Sequence, residues 1–310
     1  MSAPMRDVWA DTLVELGASN PDLLVLDADL ATSTKAEKFA RAFPDRFLEM
    51  GIAEQGMVGT AVGLASLGFV PWLSSFTVFF THRAVDQVRM SMAQTRANVK
   101  IGAAYSGLQL GFSGKTHLDV QDLAIMRAMP DMTVLAPADA AECAAAVRWA
   151  TATPGPVYVR LGREAGADVF DGGYVFEPGR VIRLRGGADA LLVSTGQQTA
   201  RTLAAADLLA ARGVHAGVVH VPSLKPLEEG VLAAAAAEVP LVVTTEEHSV
   251  IGGLGGLVAE VVTANEPRRV ARIGIEDVWG ESAPSPWLLD RHGLTPERVA
   301  ERVLRELAPR

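Results

Sequence analysis

The chain has a single cysteine, three tyrosines, 6% aromatic residues and no cluster of basic side chains to offset its net charge of −8. Each shortage removes a class of function. A lone thiol, Cys143, excludes an intrachain disulfide and any metal site built from cysteines, and in its alanine-rich surroundings it reads as a packing residue. The acidic balance without a basic patch argues against nucleic acid as a partner. No continuous apolar run reaches the ~18–20 residues that span a bilayer. The opening Met1-Ser2-Ala3-Pro4-Met5-Arg6-Asp7 lacks a charged-then-apolar leader, so a cytoplasmic protein with no membrane contact is expected. Signature motifs are missing too. There is no Gly-x-x-x-x-Gly-Lys-Ser/Thr phosphate loop, no Gly-x-Gly-x-x-Gly opening a helix, no Gly-x-Ser-x-Gly elbow and no His-Glu-x-x-His helix. Gly252-Gly253-Leu254-Gly255-Gly256 has no acidic ribose ligand to match and reads as a loop feeding a helix N-terminus.

What the chain does have is alternation. Short aliphatic runs at 23–26, 69–73, 99–103, 132–135 and 156–160 are separated by helical patterns at 53–67, 77–94, 119–129 and 139–152. A glycine-rich, charged stretch follows, with Asp171-Gly172-Gly173 and Arg185-Gly186-Gly187. A second series then begins, with strands at 190–194, 214–221, 241–245 and 270–273 and helices at 197–212, 227–238, 254–264 and 295–308. This predicts an α/β fold of two domains, each a mostly parallel sheet flanked by helices. The expected bounds are 1–165, a linker at 166–188, and 189–310.

Within this frame Glu54 stands out. The run Gly51-Ile52-Ala53-Glu54-Gln55-Gly56 delivers a carboxylic acid into a largely apolar helix whose Gly56, Gly59 and Gly63 share one face. Another backbone or a flat ligand can approach such a face closely. A buried carboxyl there would titrate well above the usual carboxylate range and could donate a proton near neutrality. A capping or dimer-pairing glutamate fits the same stretch. Two more segments offer site chemistry. Phe76, Phe79 and Phe80 span a strand end and a helix start, where they present ring faces to a planar heterocycle or pack as core. The loop Gly107 to His117 ends in a histidine just before a helix, placed either to move a proton and polarise a carbonyl or to cap the helix.

Together these segments resemble, over essentially the whole chain, the C-terminal half of a transketolase. The marks are Ala28-Asp29-Leu30, Gly51 to Gln55, Phe76 to Arg89, Gly114-Lys115-Thr116-His117, Thr133 to Asp139, Pro156 to Arg163 and Thr244-Thr245-Glu246-Glu247-His248. The resemblance implies thiamine diphosphate as cofactor. Glu54 matches the glutamate that hydrogen-bonds N1′ of the aminopyrimidine and shifts it toward the imino tautomer, so that the exocyclic nitrogen can remove the thiazolium C2 proton. Phe79 matches the ring that stacks on the pyrimidine, with Phe76 beside it; Asp29 and His82 fall at further cofactor contacts. His117 matches a histidine facing the reacting carbonyl, and Arg163 an arginine that holds a sugar phosphate.

The family's diphosphate motif, Gly-Asp-Gly with a distant Asn-Asn, is not in the sequence. The resemblance therefore implies a partner subunit that carries the diphosphate and Mg2+ or Ca2+ ligands, in a heterotetramer with two copies of each chain. Tyr105 and Ser113 stand where long-chain transketolases have a histidine and an aspartate, which weakens recognition of an ordinary sugar phosphate at two points. The implied activity is transfer of a two-carbon ketol unit from a ketose or ketose phosphate to an aldehyde. Alternatives are a specialised ketol or acyl transferase of secondary metabolism, a beta-type subunit of a 2-oxo acid dehydrogenase, and a homologue that only scaffolds. Against the dehydrogenase stands the Gly-Lys-Thr-His loop, which resembles that of transketolase and of deoxyxylulose phosphate synthase.

Overall fold

The computed structural model describes residues 3–308, so the outermost residues of the two expected domains lie outside the described region. Two sheets form the frame. The first takes β1 (Leu23–Asp27), β2 (Phe47–Glu49), β3 (Val70–Phe76), β4 (Lys100–Ala104), β5 (Thr133–Leu135) and β6 (Val157–Leu161). The second takes β7 (Ile182–Arg185), β8 (Ala190–Ser194), β9 (Ala216–His220), β11 (Leu241–Ser249) and β12 (Arg269–Ile275). One strand from the second half of the chain, β10 (Ser223–Lys225), joins the first sheet. The orders are β10-β5-β6-β4-β3-β1-β2 and β12-β11-β8-β9-β7. Pairing is parallel except at β10–β5 and β7–β9. Both sheets are thus mostly parallel, as the continuous aliphatic runs predict: strands without polar alternation need cover on both faces, and β1, β4, β6, β8 and β9 are buried at every residue.

Two features differ from the sequence reading. The stretch read as linker contains β7, whose Ile182 and Arg183 pair with His220 and Val219. The single helix expected over 77–94 is a chain of short turns, Phe79–Arg83 and Val88–Ala93 wound as π-helix around Val85–Gln87. Widened turns of this kind break the regular ladder and concentrate at functional sites.

The core packs Trp9 edge-on to Trp72 at 6.2 Å, with Gly102 leaving room for the Trp9 ring. Cys143 is fully buried, donates to the Met5 carbonyl at 3.7 Å, and burial holds its thiol above the ordinary value. Beside this core, Lys100 on β4 is fully buried and its Nζ donates to the Thr153 and Gly155 carbonyls at 2.6 Å each. Burial pushes its ammonium from 10.5 down to about 7. A neutral amine still has two N–H donors for those two carbonyls. Between these values the unfolded chain binds the proton and the folded chain does not, so this group adds stability as pH rises above 7. Relative to Lys100→Met, the wild type should gain ~2 kcal/mol between pH 7 and 9 in urea unfolding. A flat or falling difference would contradict that.

Candidate functional site

The carboxyl ends of β1, β2, β3, β4 and β6 open on one side of the first sheet, where parallel α/β sheets bind ligands. Glu54 begins the helix Glu54–Ser66 just after β2 and is 1% exposed. Its two carboxylate oxygens accept from Arg83 Nη1 at 2.8 and 2.9 Å. Burial is as the sequence predicts, yet the surroundings are not purely apolar, because Arg83 supplies a counter-charge from 29 residues away. The Arg83 guanidinium also lies over the Phe79 ring, its central carbon 4.1 Å from the centroid.

Phe76, at the end of β3, organises the aromatic part. Its ring stacks with Phe79 at 5.9 Å and 17°, tilts against Tyr105 at 4.3 Å and meets His117 edge-on at 6.2 Å. His117 also stands edge-on to Phe79 at 5.5 Å, and its Nδ1 is 2.8 Å from Thr116 Oγ1. Glu54, Phe76, Phe79 and His117 therefore converge, linked through Phe79 and Arg83. Phe80 turns the other way, fully buried in the core.

The loop bearing His117 is held from the second half of the chain. Ser282 Oγ donates to the Phe112 carbonyl at 2.5 Å, Ala283 N–H to the Gly111 carbonyl at 3.0 Å, and Leu108 N–H to Glu247 Oε1 at 2.8 Å. A Cβ on Gly111 would lie 2.1 Å from the Ala283 carbonyl oxygen, which explains glycine there. Ser113, exposed on the same loop, forms no part of this grip through its side chain.

Tyr105 sits beyond β4 with a left-handed backbone, φ 63°, and Asp29 beyond β1 with φ 62°. Non-glycine residues in this region carry strain of the kind found at functional sites. Asp29 is exposed, and its N–H donates to Glu49 Oε1 at 2.8 Å. Tyr105 lies between two guanidinium groups, with Arg6 5.1 Å and Arg163 5.5 Å from its ring centroid. Its hydroxyl accepts from Arg6 Nη1, and that same nitrogen donates to the Ser33 carbonyl at 2.8 Å. Among the described residues the Nε of Arg163 is buried without a hydrogen-bond partner. Arg6 was not singled out from sequence, since nothing local marks a residue whose contact lies 99 positions away. His82 pairs with Asp119, Nε2 to Oδ1 3.8 Å, and the nearby carboxylate holds its pKa above the ordinary histidine value.

Arg83 thus bridges a buried carboxylate and an aromatic ring, the two kinds of contact that a flat N–H-bearing group makes. On the outer side, no atom of another described element lies within 4 Å of a Cβ built on Gly56, Gly59 or Gly63, and Ile52 and Leu67 are 72% and 75% exposed. Among the described residues no group of three or more His, Cys, Asp or Glu side chains could hold a metal ion, and no helix is long and apolar enough to cross a membrane.

Comparison with known proteins fits this geometry. Residues 1–167 match the transketolase pyrimidine-binding domain and residues 179–299 the transketolase C-terminal domain. The chain is 39% identical over 306 residues to a putative transketolase C-terminal section from Methanocaldococcus jannaschii, covering 98% of this chain and 96% of that protein. It is 37% identical to a 6-deoxy-6-sulfo-D-fructose transketolase subunit from Clostridium sp. (strain MSTE9), over 95% of this chain and 92% of the relative. A solved structure described as a split gene transketolase, inactive beta4 tetramer, superposes with a TM-score of 0.90 at 44% identity, covering 99% of each chain. This chain belongs to the transketolase family, as the pyrimidine-binding and C-terminal half, the beta-type subunit, of a split transketolase.

Proposed function

We propose that the chain transfers a two-carbon ketol unit from a ketose donor to an aldehyde acceptor, working with a separate subunit that holds the diphosphate and Mg2+ of thiamine diphosphate. The observation that carries this reading is that the buried Glu54 carboxylate and the Phe79 ring both engage one planar N–H donor, the Arg83 guanidinium, a pair of contacts that a planar heterocycle could make in its place. Bound there, thiamine diphosphate would supply carbanion chemistry at a carbonyl carbon.

Each residue then has a task. Glu54 holds or receives a proton at a carboxylate oxygen shielded from water. Phe79 orients the heterocycle by stacking, and Phe76 fixes both Phe79 and His117. With Thr116 Oγ1 donating to its Nδ1, His117 would carry its proton on Nε2 and offer it to a substrate oxygen. Asp29, just beyond β1, and His82, on the π-turn that also carries Phe79, would make further cofactor contacts. Toward the outside, Arg6 and Arg163 around Tyr105 suit a substrate ending in an anionic group, with Ser113 at the rim. Two relatives are named for such substrates, 6-deoxy-6-sulfo-D-fructose and apulose-4-phosphate. Arg163→Ala should therefore raise KM for an anionic ketose about tenfold with little change in kcat; an equal fall in kcat would place Arg163 at the chemistry instead.

The open glycine face and the exposed Ile52 beside Glu54 fit coverage by another chain, in an assembly with two copies of each subunit. We place the domains at 1–165 and 189–310, with β7 (Ile182–Arg185) of the glycine-rich connection joining the sheet of the second. Calorimetry tests the division of labour. The chain alone should bind thiamine diphosphate with magnesium at least about a hundredfold more weakly than the complex with its partner. Tight binding by the chain alone would refute it.

A further inference from the structure

Arg83 does more than neutralise Glu54. Its guanidinium has a planar, conjugated N–C–N group, the same arrangement that an aminopyrimidine ring carries. It engages the two groups that the proposed reading assigns to that ring: its central carbon lies over Phe79, 4.1 Å from the centroid, and its Nη1 donates to the Glu54 oxygens at 2.8 and 2.9 Å. One carboxylate and one ring face cannot serve both groups at once.

The rest of the residue is built to leave. Arg83 ends the π-turn Phe79–Arg83, its side chain is 44% exposed, and among the described residues its guanidinium hydrogen bonds go to Glu54 alone. The backbone is anchored independently, since the Arg83 carbonyl accepts from Gln55 Nε2 at 3.0 Å. A swing of the side chain therefore leaves the turn in place.

From this we infer that Arg83 is an internal stand-in for the aminopyrimidine. It keeps the buried Glu54 charge paired and the Phe79 face covered until the cofactor displaces it. The inference rests on the proposed cofactor site and adds a competitor that this chain itself supplies. Without a partner the buried carboxylate would carry a heavy desolvation penalty, so pairing stabilises the chain before loading. The consequence is a lower apparent affinity: if the arginine sits inward about ten times as often as outward, the dissociation constant rises about tenfold.

The test uses the complex purified with its diphosphate-binding partner, titrated calorimetrically with thiamine diphosphate and magnesium. Arg83→Ala and Arg83→Met, the second keeping contact with Phe79, should each lower the dissociation constant about tenfold. Stopped-flow mixing should assign the gain to faster association. Wild-type affinity or weaker binding in both variants would overturn the stand-in role while leaving the cofactor site intact. Absence of binding in the wild type and both variants would sink the cofactor reading and this inference together.

Discussion

Glu54→Gln is expected to cut ketol-transfer turnover by about a thousandfold or more while the protein keeps its fold. The two side chains have nearly the same volume, and glutamine keeps a carbonyl oxygen that accepts from Arg83. What it loses is the ability to take up and return a proton at that atom. The structural cost is small because the arginine partner is 44% exposed and finds water when the pairing weakens. Circular dichroism and the melting temperature should match the wild type within about 2 °C. Activity within a few-fold of wild type would remove Glu54 from the chemistry, and an unfolded variant would make the residue structural.

The second large effect concerns the seam between the two halves. Arg160, at the end of β6, donates to Asp122 through Nε at 2.8 Å and Nη2 at 3.1 Å, and Nη2 also donates to the Glu247 carbonyl at 2.8 Å. Tyr158 adds a hydroxyl donor to the same carboxylate at 2.8 Å. Asp122 is fully buried and Arg160 is 7% exposed. Such a pair adds little over an apolar replacement, but breaking one side leaves a buried charge. Arg160→Met should therefore cost about 3–5 kcal/mol, and the loop carrying His117 should loosen with it, because Glu247 holds Leu108. Removing both charges, with Asp122→Asn added, should cost less than the single change. A double variant less stable than Arg160→Met would contradict the unpaired-charge account. Thermal unfolding distinguishes the two.

How much of this was legible in the sequence depends on the range of the forces involved. Most strands of both sheets were readable because continuous aliphatic runs state burial directly, residue by residue; β7, in the stretch read as linker, was not. Glu54, Phe76, Phe79 and His117 were legible as candidates, and the fold brings them together. The π-turns at Phe79–Arg83 and Val88–Ala93 were not readable, since their extra residue leaves the composition of an ordinary helix. Nor was β10, whose three residues leave the second half to pair with β5. Arg83 and Arg6 illustrate the remaining gap: an arginine announces charge, but its partner 29 or 99 residues away is chosen by the fold. The Thr244-Thr245-Glu246-Glu247-His248 segment shows the reverse case, a resemblance mark whose side chains serve the architecture. Glu246 caps the helix Leu254–Ala264 through Leu254 and Gly255, and Glu247 ties down the loop from Gly107 to His117.

The central claim is that this chain supplies the proton-handling half of a two-chain ketol transferase. The most direct measurement combines it with the diphosphate-binding subunit, thiamine diphosphate and magnesium, and follows two-carbon transfer from xylulose 5-phosphate, or a ketose with another anionic end group, to ribose 5-phosphate. The account predicts turnover only when both chains are present, and its loss on Glu54→Gln. Equal turnover by either chain alone, or by the mixture carrying Glu54→Gln, would contradict it.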